Sequence, residues 1–206
     1  MDEWSHKRDV MQYYNLTAKS YDELYAAEQR TKFKVALEKI KLGATSLVLD
    51  CGCGTGLLFE HVADKAQTVV GLDISRNLLE AARKRAKKFQ NVHLVLADAD
   101  HAPLRDNLFS HVFAVTLLQN MPNPEQTLAE LCRVARGDAF IVVTGLKKRF
   151  SLEAFEALLR KLKLNVAEIM CGDEALKCYV AVCVKLEHWK THGGSLNYIL
   201  MWKGLG

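Results

Sequence analysis

The chain has 206 residues, half of them hydrophobic and a quarter charged, which fits one globular domain with a short appendage and excludes a disordered polymer. Lys and Arg total 28 against 24 Asp and Glu, a formal charge of +4 that falls short of a dedicated nucleic-acid binder. No apolar run approaches the ~18–20 residues that span a bilayer, and the mixed-charge start Met1-Asp2-Glu3-Trp4-Ser5 is unlike a secretory leader, so the expected location is the cytoplasm.

From about residue 5 to 42 the pattern is helical. Tyr14, Leu16, Ala18, Tyr21, Leu24 and Tyr25, then Phe33, Ala36, Leu37 and Ile40, recur mostly at three- and four-residue spacing, which predicts two or more amphipathic helices before any strand. The register then changes. Ser46–Asp50 is a short apolar run ending in an acid, followed by a glycine-rich turn and a helix expected over about 55–65. Thr68–Asp73 repeats the design and leads into a helix over 76–88; Asn91–Asp98 is a third strand, again closed by an aspartate. His111–Leu117 and Ala139–Thr144 read as strands four and five, with a helix over Glu125–Arg136 between them. A helix at 151–163 and the runs Val166–Met170 and Lys177–Lys185 complete the pattern. Near-continuous hydrophobicity without alternation is what a parallel sheet covered on both faces requires. The expected fold is α/β: a doubly wound, mostly parallel seven-stranded sheet with an antiparallel closing hairpin and N-terminal helices. It divides into N-terminal helices (1–42), a Rossmann-like core (43–186) and a C-terminal tail (187–206).

Three acids at successive strand ends face one crevice, where open parallel sheets bind their ligands. The first turn reads Asp50-Cys51-Gly52-Cys53-Gly54-Thr55-Gly56, and glycines at 52, 54 and 56 allow a tight turn and close approach of a ligand. A dinucleotide fingerprint needs a glycine where Leu57 stands, and the G-K-[ST] of a phosphate loop is absent. Asp50 before the turn would repel a pyrophosphate but suits an amino group. Asp73 is placed to hold both hydroxyls of a ribose. Asp98 can accept from an adenine amine, with Ile74 and Ala99 as flat contacts to the ring. A ligand with an ammonium, a ribose and an adenine but no phosphate is S-adenosylmethionine.

These residues resemble a known family. Val48-Leu49-Asp50-Cys51-Gly52-Cys53-Gly54-Thr55-Gly56, Gly71-Leu72-Asp73-Ile74-Ser75, and Ala97-Asp98-Ala99 with Pro103, Leu104 and Phe109 are similar to the three motifs of class I SAM-dependent methyltransferases. The likeness runs from about residue 13 to 145 and is nearest to the group containing the ubiquinone and menaquinone C-methyltransferases. In that group a tyrosine-rich helix lies over the cofactor, which gives Tyr14 and Tyr21 a cofactor-side place. The resemblance implies methyl transfer from S-adenosylmethionine. Where relatives often carry His-His, this chain has Gln119-Asn120, so no histidine base is assigned.

A sulfonium is an activated donor, so alignment and exclusion of water supply much of the catalysis. Thr116, Gln119 and Asn120 at the end of strand four and Tyr14, Tyr21 and Tyr25 of the N-terminal helices are placed to face the acceptor, with Tyr21, Thr116 and Gln119 as the catalytic candidates, and Thr116 also borders the cofactor. The acceptor itself stays open. The resemblance favours a small molecule, whereas the short Gly145–Phe150 connection points to RNA, protein, a small activator subunit or self-association. A SAM-binding sensor or scaffold without catalysis is the other class. Basic clusters at Arg76, Arg83–Arg85, Lys87 and Lys88, and at Lys147–Arg149, leave an RNA contact open. His188 and His192 have no further ligands beside them, so no metal is assigned. The six cysteines form no C-x-x-C pair and read as reduced core residues.

Overall fold

The computed structural model describes residues 2–171 and 176–186. The expected C-terminal tail, with His188 and His192, lies outside the described residues.

Helices α1 (Glu3–Thr17) and α2 (Tyr21–Leu37) precede β1 (Leu47–Cys51). A short α3 (Phe59–Val62), β2 (Thr68–Asp73), α4 (Arg76–Ala86), β3 (Val92–Leu96) and β4 (Phe109–Ala114) follow. The chain then runs through α5 (Pro124–Val134), β5 (Ala135–Leu146), α6 (Leu152–Lys161), β6 (Leu164–Met170) and β7 (Cys178–Lys185). The seven strands lie in the order β3-β2-β1-β4-β5-β7-β6. Pairing is parallel from β3 through β5, and β7 runs antiparallel to both β5 and β6. This is the expected doubly wound sheet with its closing hairpin.

Alternate strand residues feed two cores, because successive side chains of a strand point to opposite faces. Val48, Val69 and Phe113 pack with Ala26, Phe33 and Ala36 of α2, Phe59 of α3, and Leu79 and Ala82 of α4. Leu49, Val112 and Ile141 pack with Leu128 and Leu131 of α5 and with Phe155 and Leu159 of α6. Both faces are therefore covered, as the unbroken hydrophobicity of the strands requires.

Among the boundaries that differ from the sequence reading, two have a clear local cause. The helix expected over 55–65 is α only at Phe59–Val62, then one 3-10 turn at Ala63–Lys65. The positive φ of Gly54 and Gly56, and the turn bonds Gly56 N to Cys53 O and Phe59 N to Gly56 O, delay helical winding. Strand β5 begins at Ala135, where a helix was expected to end, because Ala135 pairs with Phe109 of β4 at the first residue after α5.

The strand order reverses between β1 and β4, whose carboxyl ends open a crevice under α1 and α2.

Candidate active site

The crevice is built from three turns and two helices. After β1 the backbone takes positive φ at Gly52 (74°) and Gly54 (55°), and the amides of Gly52 and Cys53 donate to the carbonyl of Leu72 at 2.8 and 3.0 Å. The Gly54 amide instead donates to Asp73 Oδ2 at 2.8 Å, while Oδ1 accepts from the Ser75 amide at 2.8 Å. Asp73 is thus fixed by two backbone donors, and each oxygen keeps a lone pair for a ligand. Burial raises its carboxyl, a shift moderated by the amides of Ser75, Gly54 and Ile74. Ser75 then caps α4 by accepting from the Leu78 amide.

Asp98 stands at the end of β3. Its Oδ1 accepts from the Asp100 amide at 3.0 Å, and its Oδ2 accepts from Lys7 Nζ of α1 at 2.7 Å. Lys7 also pairs with Asp100, to whose carboxylate Thr127 donates. Burial alone would lower the Lys7 amine, but bonds to Asp100 and Asp98 outweigh it and raise it.

Thr116, two residues past β4, has φ +64°, a costly conformation for a β-branched residue. Four contacts hold it there. Its amide donates to Thr144 Oγ1 at 2.7 Å, its carbonyl accepts from Asn120 Nδ2 at 2.8 Å, and its hydroxyl meets Gln29 and Lys32 Nζ, each at 3.0 Å. Lys32 is buried and pairs with Glu28 at 2.8 Å. Above Thr116, the Tyr14 hydroxyl accepts from Asn120 Nδ2 at 3.0 Å and the Tyr21 hydroxyl from Gln29 Nε2 at 3.3 Å. Burial pushes both phenols up, so each stays neutral near pH 7. Their rings lie 6.1 Å apart, edge to face.

A cavity of about 70 Å³ runs between these groups. Of the residues singled out in the sequence, Tyr14, Tyr21, Gly52, Gly54, Asp73, Ile74, Asp98, Ala99 and Thr116 border it. Asp50 does not. It borders an adjoining cavity of about 20 Å³ with Tyr21, Gln29, Gly52 and Thr55. Burial and the nearby Asp73 raise its carboxyl to about 8, with no hydrogen bond contributing. Gly56 borders neither cavity. A Cβ there would lie 2.3 Å from the Phe59 ring, so this glycine serves packing instead of ligand approach. Gln119 also lies off the cavity; its Oε1 is buried without a partner among the described residues, and Asn120 takes the inward place. The 3-10 turn Leu118–Asn120 sets that rotation. Lys7, Val10, Leu117 and Met121 border the cavity without having been singled out. Lys7, Val10 and Tyr14 share one helical face at three- and four-residue spacing, the signal that could have found them. The buried thiols of Cys51 and Cys53 are pushed well up by burial, which excludes them as nucleophiles near neutrality.

The pocket suits a phosphate-free adenosine carrying an amino-acid arm. Asp73 retains acceptor capacity, Gly54 keeps its surroundings bare (the nearest atom to a Cβ there would be Tyr21 at 3.9 Å), and the buried Asp50 has no counter-charge among the described residues. The sheet and the cleft define an enzyme that takes S-adenosylmethionine as cofactor and transfers its methyl group. Comparison with known proteins agrees. The methyltransferase domain family model matches residues 49–143. The chain is 31% identical over 203 residues to a malonyl-[acyl-carrier protein] O-methyltransferase of Marinomonas, covering 96% of this chain and 72% of that one. It is 28% identical over 190 residues to the demethylmenaquinone methyltransferase of Tropheryma whipplei, covering 89% and 78% respectively. Its fold superposes with a TM-score of 0.73 at 15% identity on a chain of the Haloferax volcanii complex between the Trm112 methyltransferase activator and a methyltransferase, over 84% of this chain and 98% of that one. The chain belongs to the class I SAM-dependent methyltransferases.

Proposed function

We propose that the acceptor is a small, largely apolar molecule whose nucleophile is already ionised near neutral pH, such as a carboxylate or an acidic enol. The observation that carries this reading is the character of the cavity beyond the cofactor residues. Val10, Tyr14, Tyr21, Thr116, Leu117 and Met121 border it, and its phenols are held neutral, so it offers hydrogen bonds and apolar contact but no strong base. A base is needed only when the acceptor must lose a proton. The malonyl-[acyl-carrier protein] O-methyltransferase relative supports the reading by its name, since a malonyl group ends in a carboxylate.

In this reading Asp50, Asp73 and Asp98 hold the ammonium, ribose and adenine of the cofactor, with Gly52 and Gly54 along its amino-acid arm. When bound, S-adenosylmethionine supplies an electrophilic methyl on a sulfonium. Tyr21 and Thr116 orient the acceptor in line with that methyl, and Tyr14 with α1 excludes water. Residues 1–42 act as the cover of the core at 43–186, and the enzyme works in the cytoplasm. No described helix is long and apolar enough to cross a membrane.

Leu96 favours a second reading of the partners. It is half exposed on β3, which among the described residues pairs only with β2, and such an edge can take an added strand from a small activator subunit. The test of both readings is incubation of the purified chain with methyl-labelled cofactor and a cell extract separated by size, followed by mass spectrometry of the labelled product. Label in a small acidic compound is expected. Label confined to ribonuclease- or protease-sensitive material would overturn the small-acceptor reading, and turnover only with an added protein fraction would favour the activator.

A further inference from the structure

We propose that Lys7 is a positioning residue that ties the covering helix α1 to recognition of the cofactor's base, through its bond to Asp98. The inference rests on the cofactor reading above, in which Asp98 accepts from the adenine amine.

Helix α1 is docked in an unusual way. Of its fifteen residues only Lys7 is buried, while Trp4, Tyr13 and Leu16 are exposed. The hydrophobic effect therefore does little to hold it. Its anchors are polar: Lys7 to Asp98 at 2.7 Å and to Asp100, His6 Nε2 donating to the Asn120 carbonyl at 3.1 Å, and Asn15 Oδ1 accepting from Ser75 Oγ at 2.7 Å. Each anchor lands beside a part of the cofactor site. Lys7 meets the strand end assigned to the base, Asn15 the residue two after the ribose acid Asp73, and His6 the turn below Thr116.

A buried ammonium between two carboxylates is expensive to open one side at a time. With Lys7 in place, Oδ2 of Asp98 is pinned by an ammonium and Oδ1 by the Asp100 amide, so the carboxyl group is fixed in orientation at the cavity wall. It then accepts from a 6-amino group of a purine and faces a 6-oxo group with like polarity. Without Lys7 the carboxylate is free to turn, and α1 loses its buried anchor.

The experiment compares the wild type with Lys7→Met, Lys7→Arg and Asn15→Ala. It uses calorimetry with S-adenosylhomocysteine and with its 6-oxo analogue S-inosylhomocysteine, and hydrogen exchange of α1 amides with and without ligand. Lys7→Met is expected to weaken S-adenosylhomocysteine about tenfold and the 6-oxo analogue by less than about threefold, and to leave α1 exchanging rapidly in both states. Lys7→Arg, which keeps the cation, is expected to retain the preference. Asn15→Ala loosens α1 without touching Asp98 and is expected to weaken both ligands alike. Equal losses for the two ligands in Lys7→Met, or unchanged affinity with unchanged α1 exchange, would overturn the proposal. A wild type that binds S-adenosylhomocysteine without preferring it over the 6-oxo analogue would refute the link through Asp98 while sparing the cofactor reading. A wild type that binds neither would take down both.

Discussion

Asp22 of α2 and Arg85 of α4 meet at 2.8 Å across the glycine turn that follows β1. The other oxygen of Asp22 accepts from Thr55 Oγ1 at 2.6 Å, and Arg85 donates as well to the Thr55 carbonyl and to Glu60. The turn is thereby clamped from both sides by residues remote from it in sequence.

This clamp predicts graded effects. The Asp22 side chain is 41% exposed, so solvent screening limits the loss in Asp22→Ala to about 1 kcal/mol. Arg85→Ala removes every bond to the turn and to Glu60 and is expected to lose about 2 kcal/mol, with cofactor affinity falling several-fold. Thermal unfolding at low and high salt checks this, since the Asp22 effect should shrink with salt. Equal and salt-independent losses would contradict the clamp.

The last two glycines of the turn are expected to separate binding from folding. Gly54→Ala places a Cβ 3.9 Å from Tyr21, clear of the protein, but into the cofactor's path at φ +55°. A stability loss of about 1 kcal/mol and a large loss of cofactor affinity should follow. Gly56→Ala drives a Cβ to 2.3 Å from the buried Phe59 ring at φ +77°, and about 3 kcal/mol of stability should go. Denaturant titration beside calorimetry distinguishes them; the reverse ranking would refute the assignment.

Asp73→Ala strands the Gly54 and Ser75 amides and removes the acceptor assigned to the ribose. Cofactor affinity should fall at least about a hundredfold, with Asp73→Asn in between because one acceptor oxygen remains. Calorimetry with S-adenosylhomocysteine showing wild-type affinity for the alanine variant would sink the ribose assignment.

Asp50 predicts a pH dependence. Its carboxyl is raised from 3.8 to about 8, so the folded chain holds a proton that the unfolded chain has released. The stability it contributes is complete below pH 3.8 and is lost as pH rises through about 8. An ammonium seated beside it needs the ionised form, so affinity for S-adenosylhomocysteine should rise between pH 6 and 8 by up to about tenfold per unit, with proton release on binding. Asp50→Asn should flatten that profile. Calorimetry in buffers of different ionisation enthalpy measures the proton count, and a count of zero at pH 7 would contradict the placement.

Much of this architecture can be read from the chain because the parallel strands announce themselves locally. Strand β2 runs Thr68–Asp73 in both readings, and Asp50, Asp73 and Asp98 each lie within two residues of the end of β1, β2 or β3. What stayed hidden depends on partners distant in sequence. Lys7 looks like any surface lysine until Asp98, 91 residues away, is brought to it. The strain at Thr116 is likewise invisible without Gln29 and Lys32 of α2 to hold it. That Asn120 borders the cavity and Gln119 does not is set by the rotation of a single 3-10 turn, which spacing does not reveal.

The reversal of strand order between β1 and β4 divides the labour of the enzyme along a line. In the proposed reading one bank, the turns after β1, β2 and β3, holds the donor, and the other, α2 and the turn after β4, faces the acceptor, with α1 lying across both. Retargeting such an enzyme to a new compound would then mean rewriting the acceptor-facing residues of its first forty and one short turn while keeping Lys7 and Asp22, which brace the donor's seat.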